Sequence, residues 1–188
     1  FNMLFLEEIW SRNFTNLFIA PLKLKEIIVA LIFTALVRTL IGLVPAILLT
    51  SPLFGVSILN LGFPLFLLFL SLYIFGITLG LFVSAGLIRF GPSFENIAWS
   101  SLFLLAPLGC IYYPIEILPN FFQIIAKCLP LVYIFDETRN ILINGFVNYE
   151  NLKQAFFLNL VYLTFGIGLF YLSFLKARIK GTLINMGE

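Results

Sequence analysis

The stretch Leu6–Leu49, LEEIWSRNFTNLFIAPLKLKEIIVALIFTALVRTLIGLVPAILL, sets an amphipathic segment directly before an apolar run whose one charge is Arg38. On helical spacing Trp10, Phe14 and Leu17 share one face, with Phe18 beside them, while Glu8, Ser11, Arg12 and Thr15 gather on the other. Pro21 ends that pattern, and Lys23, Lys25 and Glu26 lead into Ile27–Leu49. A helix needs about 20 apolar residues to cross the hydrocarbon core of a bilayer, and this run supplies them. The amphipathic part, residues 6–22, suits a helix lying flat at a membrane surface, its polar side toward water or a partner protein. Two uses stand open here: a contact that receives force from a soluble motor, or a surface anchor with no partner.

Working outward, the whole chain shares the apolar character of that run. Of its 188 residues 61% are hydrophobic and 11% charged, with a mean hydropathy of +1.08. Soluble domains carry roughly 25% charged residues, so no water-facing surface of ordinary size can be assembled. The class is all-α integral membrane. A net charge of +2 with scattered basic residues gives no footprint for nucleic acid. The absence of histidine removes imidazole bases, imidazole metal ligands and the common proton relays. Cys110 and Cys128 read as small apolar filler; a disulfide between them would need an oxidising face and Cα atoms within about 7 Å. The opening FNMLFL has neither an initiator Met nor a basic stretch before a short apolar one, so the chain is expected to be part of a longer protein.

Four crossings are predicted, at 27–49, 64–88, 97–113 and 154–175. The first ends at Thr50-Ser51-Pro52, and Asn60, Gly62 and Pro64 delay the start of the second. Arg89-Phe90-Gly91-Pro92 breaks the pattern, and Ser93 is placed to cap the third helix, which Pro107 and Gly109 interrupt. Residues 114–150 are the odd piece. ILPNFFQIIAKCLPLVYIF is apolar enough to enter lipid, but Pro119, Lys127 and Pro130 argue against a full crossing. Two short helices that dip in and return fit better, as irregular backbone at membrane depth must be covered by protein or line a wet cavity. Alternating crossings put Arg12, Lys23, Lys25, Arg89, Lys176, Arg178 and Lys180 on one side, which is cytosolic by the excess of basic residues. Residues 6–22 and the tail 176–188 then face the cytosol, and the 114–150 hairpin faces outward. No second domain or internal repeat is visible.

Few residues invite chemistry. Arg38 lies about twelve residues into its helix, roughly 18 Å along the axis, and should face protein or water rather than lipid. It is either a polar contact in a pathway or subunit interface, or an arginine that snorkels or pairs with an expected helix outside this sequence. Gly76, Gly80 and Ser84 recur at four-residue spacing, with Gly86 nearby, and let a second helix approach closely. Asp136 and Arg139 are spaced to pair along one helix face. Glu116, Asp136, Glu137, Glu150 and Glu95 make no tight constellation of the kind a two-carboxylate hydrolase needs. The sequon Asn13-Phe14-Thr15 falls on the cytosolic side. No phosphate-binding GxxxxGK[ST] loop is present, and FGIGLFY around Gly166 and Gly168 lacks the third glycine of a dinucleotide fingerprint.

Two pieces together resemble the permeases of type-2 ABC transporters. Glu7-Glu8, the amphipathic helix, Ala20-Pro21-Leu22 and Glu26 before a crossing look like the coupling helix of that family. Pro114-Ile115-Glu116-Ile117-Leu118-Pro119, Leu129-Pro130-Leu131-Val132-Tyr133 and Glu137-Thr138-Arg139-Asn140-Ile141-Leu142 are similar to its external re-entrant hairpin. Arg12, Asn13 and Thr15 stand where many members have a Gly-Thr-Leu-Glu-like run. The resemblance implies a six-helix subunit in the plasma (inner) membrane, paired with a second permease as homo- or heterodimer and with cytosolic ATP-binding subunits. It implies no cofactor on this chain, with ATP and Mg on the partner, and an exported amphiphile such as a polysaccharide, lipid-linked glycan or drug. Residues 7, 8, 12, 16 and 21 (Glu7, Glu8, Arg12, Asn16, Pro21) would couple to the ATPase. Arg38, Gly76, Gly80 and Ser84 would line a pathway or interface, and Glu116, Pro119, Pro130, Glu137 and Arg139 would build the hairpin. The competing class is a motor-free membrane enzyme or lipid-handling protein, for which Glu116, Lys127 and Asp136 are the candidate polar cluster.

Overall fold

The computed structural model describes residue 7 and residues 24–55, 62–91 and 94–180. The predicted coupling residues Glu8, Arg12, Asn16 and Pro21, Ser93 and the tail beyond residue 180 lie outside them. Six α-helices are found among the described residues, and no strand: α1 Leu24–Phe54, α2 Phe63–Phe90, α3 Glu95–Leu108, α4 Asn120–Lys127, α5 Pro130–Asn144 and α6 Tyr149–Lys180. A 3-10 turn at Ile115–Ile117 precedes α4.

Three helices, α1, α2 and α6, are long and apolar enough to cross a membrane. α1 runs past the predicted stop at Thr50-Ser51-Pro52, carrying Pro45 and Pro52 within it. Each proline removes one helical N–H. Near the second, the Thr50 hydroxyl donates to the Ile47 carbonyl at 2.6 Å, and the helix closes only at Gly55, whose φ of +68° suits a left-handed end. α2 ends similarly, with the Gly91 N–H on the Leu87 carbonyl and φ +80°. The third predicted crossing, 97–113, is helical only over Glu95–Leu108. Fourteen residues rise about 21 Å, less than the roughly 30 Å of a hydrocarbon core. Pro107 deprives the Phe103 carbonyl of its usual donor, and the chain leaves the helix through Gly109 and Cys110.

The chain forms two compact units: Phe1–Ser57 with Leu79–Glu95 and Gly166–Glu188, and Ile58–Thr78 with Asn96–Phe165. α2 and α6 contribute one end to each. In the first unit, α1 is almost bare: 6% of its most apolar stretch is buried, against 39% for α2. Gly86 packs so closely on Phe94 that an added Cβ would meet the ring. In the second unit α5 supplies the core. Ile134 and Ile141 pack with Leu68 of α2 and with Leu152 and Ala155 of α6, while Val132 packs with Cys110 and Ala126.

Candidate functional site

α5 is amphipathic in a way that its position explains. Pro130 opens it at the first turn, where a missing N–H costs nothing, and Gly145 closes it with φ +73°. Between them Leu131, Val132, Ile134 and Ile141 are buried, and so is Glu137, with none of its surface exposed. A buried carboxylate needs donors. Glu137 Oε1 accepts the backbone N–H of Asn148 at 2.6 Å, and Oε2 accepts the side-chain amide of Asn151 at 3.2 Å. Asn148 Oδ1 in turn accepts the backbone N–H of Glu150 at 3.0 Å. Asn148 therefore caps α6, and the reciprocal half of a capping box comes from the preceding helix instead of from the third helical residue.

Two residues on, Arg139 Nη1 donates to the carbonyl of Cys110 at 2.8 Å. Its Nη2 lies 3.6 Å from Asp136 Oδ1, the ion pair anticipated from their spacing. Cys110 is fully buried in left-handed backbone, φ +52°, where a side chain is rarely tolerated. It follows Gly109, whose Cα approaches so closely that an added Cβ would lie 2.8 Å from both the Leu105 carbonyl and Leu131 Cδ1. Tyr113 donates to the Pro107 carbonyl, Tyr133 to that of Lys127 and Tyr162 to that of Cys128, at 2.8, 3.0 and 3.1 Å. Both cysteines are free, Cys110 buried and Cys128 exposed. Glu116 and Pro119 are exposed and Pro130 is buried. Among the described residues no ion pair joins Glu116, Lys127 and Asp136.

Elsewhere the predicted residues separate. Arg38 pairs with Glu7 at 2.8 Å, both side chains about half exposed, so its partner here is a residue of this same chain, where a helix outside the sequence was expected. Gly80 and Ser84 are buried, but Gly76 is exposed and, among the described residues, nothing stands within 4 Å of where its Cβ would be. The contact made by Asn159 was also unpredicted. Asn159 of α6, 1% exposed, donates through Nδ2 to the Ser71 carbonyl at 2.9 Å and to Ser71 Oγ at 2.8 Å. The signal was present: Asn159 is the one amide in the apolar run Ala155–Leu175.

These features define a class, a helical membrane protein with bilayer-length helices and a pinned short-helix hairpin. The family model for the ABC-2 type transporter matches residues 1–143, and the chain belongs to that family. It is thus the membrane part of an ABC transporter, a permease and not itself a catalytic enzyme, and membership implies association with an ATP-binding subunit. No curated protein and no solved structure gives a significant match.

Proposed function

We propose that the chain is the permease subunit of an ATP-driven exporter for an amphiphilic substrate (a polysaccharide, lipid-linked glycan or drug), with ATP and Mg bound on separate subunits. The observation that carries this reading is the family match over residues 1–143. Residues 6–22 lie on the cytosolic face and meet the motor through Glu8, Arg12, Asn16 and Pro21. Glu7, held by Arg38, ties that segment to α1. ATP-driven closure of the motors would shift these segments and move a central path between inward and outward access, a rigid-body change of the hinge and shear kind. α3 is the third, shortened crossing of a multi-pass subunit in the plasma (inner) membrane. A second permease subunit covers part of the bare α1.

The hairpin α4–α5 dips into the outer leaflet. Supporting this, α4 turns its apolar side outward: Phe121, Phe122, Ile124 and Ile125 are exposed, whereas Ala126 is buried and Gln123 donates inward to the Leu118 carbonyl at 2.7 Å. A water-facing helix would reverse that arrangement.

The test is reconstitution with the ATP-binding partner in lipid nanodiscs. Glu8→Ala and Arg12→Ala should each lower substrate-stimulated ATP hydrolysis and export, with the amount of assembled complex unchanged. Undiminished stimulation and export in both variants would overturn the coupling assignment. Failure of any ATP-binding protein to co-purify would overturn the motor itself.

A further inference from the structure

Glu137 and Arg139 are two residues apart on α5, about 200° around a helix that turns about 100° per residue. They leave it on opposite sides and hold two different neighbours. Glu137 takes the N–H of Asn148 just before α6, and Arg139 takes the carbonyl of Cys110 just after α3. Both targets are main-chain groups beside helix ends: the Asn148 N–H is one that α6 leaves without a partner, and the Cys110 carbonyl belongs to the turn that follows α3. Both bonds engage a charged side chain, the stronger kind. A bond to backbone fixes the path of the chain whatever side chain the neighbour bears. Among the described residues no cation lies within 4 Å of Glu137, so its carboxylate is spent on these donors and not on an ion pair. Apolar contacts reinforce each end: Val132 with Cys110, and Ile134 and Ile141 with Leu152 and Ala155.

We propose that Glu137 and Arg139 are positioning residues that make α5 a strut, so that the end of α3 and the start of α6 move as one body when the permease changes access. The movement rests on the transport reading above; the two latches do not. Transport force reaching α6 would then be passed to α3 through a single short helix, without relying on the loops 109–119 and 145–148.

Amide hydrogen exchange on the full chain in lipid nanodiscs, with export by the assembled transporter, tests both parts. Glu137→Ala should speed exchange at residues 148–152 by at least about tenfold while residues 109–113 stay protected, and Arg139→Ala should do the reverse. Both should lower export per ATP hydrolysed, and Arg139→Lys, which can still donate to one carbonyl, should recover part of it. If Glu137→Ala does not fold, Glu137→Gln keeps the shape with one acceptor fewer and carries the same comparison. Unchanged exchange at both ends would overturn the latches. Local release with undiminished export would overturn the strut. Absence of ATP-linked export in the unmodified protein would overturn the transport reading and the strut with it, while the exchange result would still report on the latches.

Discussion

At the scale of single residues, the buried polar groups divide by what they hold. Asn159 and Ser71 lie 88 residues apart and join α6 to α2 inside the apolar interior. Interhelical hydrogen bonds in membranes average about 0.6 kcal/mol, because the separated helices also find partners. Asn159 Nδ2 reaches both the Ser71 hydroxyl and its carbonyl, so Ser71→Ala should be nearly neutral. Asn159→Leu removes both contacts and should cost about 1 kcal/mol or less in a reversible denaturation in detergent. Arg38 and Glu7 make another long-range pair, 31 residues apart. Sequence marked Arg38 as needing company, since a cation in a spanning helix is costly alone. It could not choose the partner, because 31 residues of separation carry no periodic signal. Asn159 was legible as an anomaly, an amide among apolar side chains, yet its partner Ser71 was not, since serine sits in apolar helices without remark.

At the scale of elements, the decisive case is α3. Hydropathy reads 97–113 as one run, but Pro107, Gly109 and the left-handed Cys110 end the helix at Leu108. Gly109 has to be glycine because Leu131 of α5 packs against it. Gly109→Ala should destabilise by about 1–3 kcal/mol, the usual cost of overpacking, and should loosen the α3–α5 contact. Thermal unfolding followed by circular dichroism would measure the first, and faster amide exchange at residues 109–113 the second. Gly76→Ala, with nothing near its added methyl, serves as the control and should gain helix propensity of roughly 0.5–1 kcal/mol. α5 shows the opposite relation between sequence and structure. Its ends were readable from Pro130 and Gly145, and its Asp136–Arg139 pair from spacing. That Glu137 faces inward to complete the cap of α6 depends on how the two helices pack, and no local pattern announces it.

For the whole molecule, the membrane class and the family follow from composition and from motifs spread over residues 1–143. Orientation is the claim most open to a direct test. With single cysteines at Lys153 and at Lys176 in an otherwise cysteine-free background, an impermeant maleimide should label position 153 from outside intact cells. Position 176 should react only after permeabilisation. The reverse pattern would invert the topology argued from the basic residues. The nearly bare α1 belongs to the same scale. A helix this apolar with 6% of its central stretch buried is stable in water nowhere, and in a bilayer it is covered by lipid or by another subunit.

Sequence by itself determined what depends on sums and short-range order: an apolar excess that only a bilayer can solvate, helices of spanning length, and stops at glycine and proline. Even there it stopped short at Thr50–Pro52, because a proline in a last turn ends nothing until a left-handed residue follows. Tertiary structure alone decided which polar groups meet. Glu137 with Asn148, Arg139 with Cys110 and Asn159 with Ser71 are each a bond between groups at least eleven residues apart. What selects them is the cost of leaving a donor or acceptor unpaired away from water, a cost that exists only once the helices have packed.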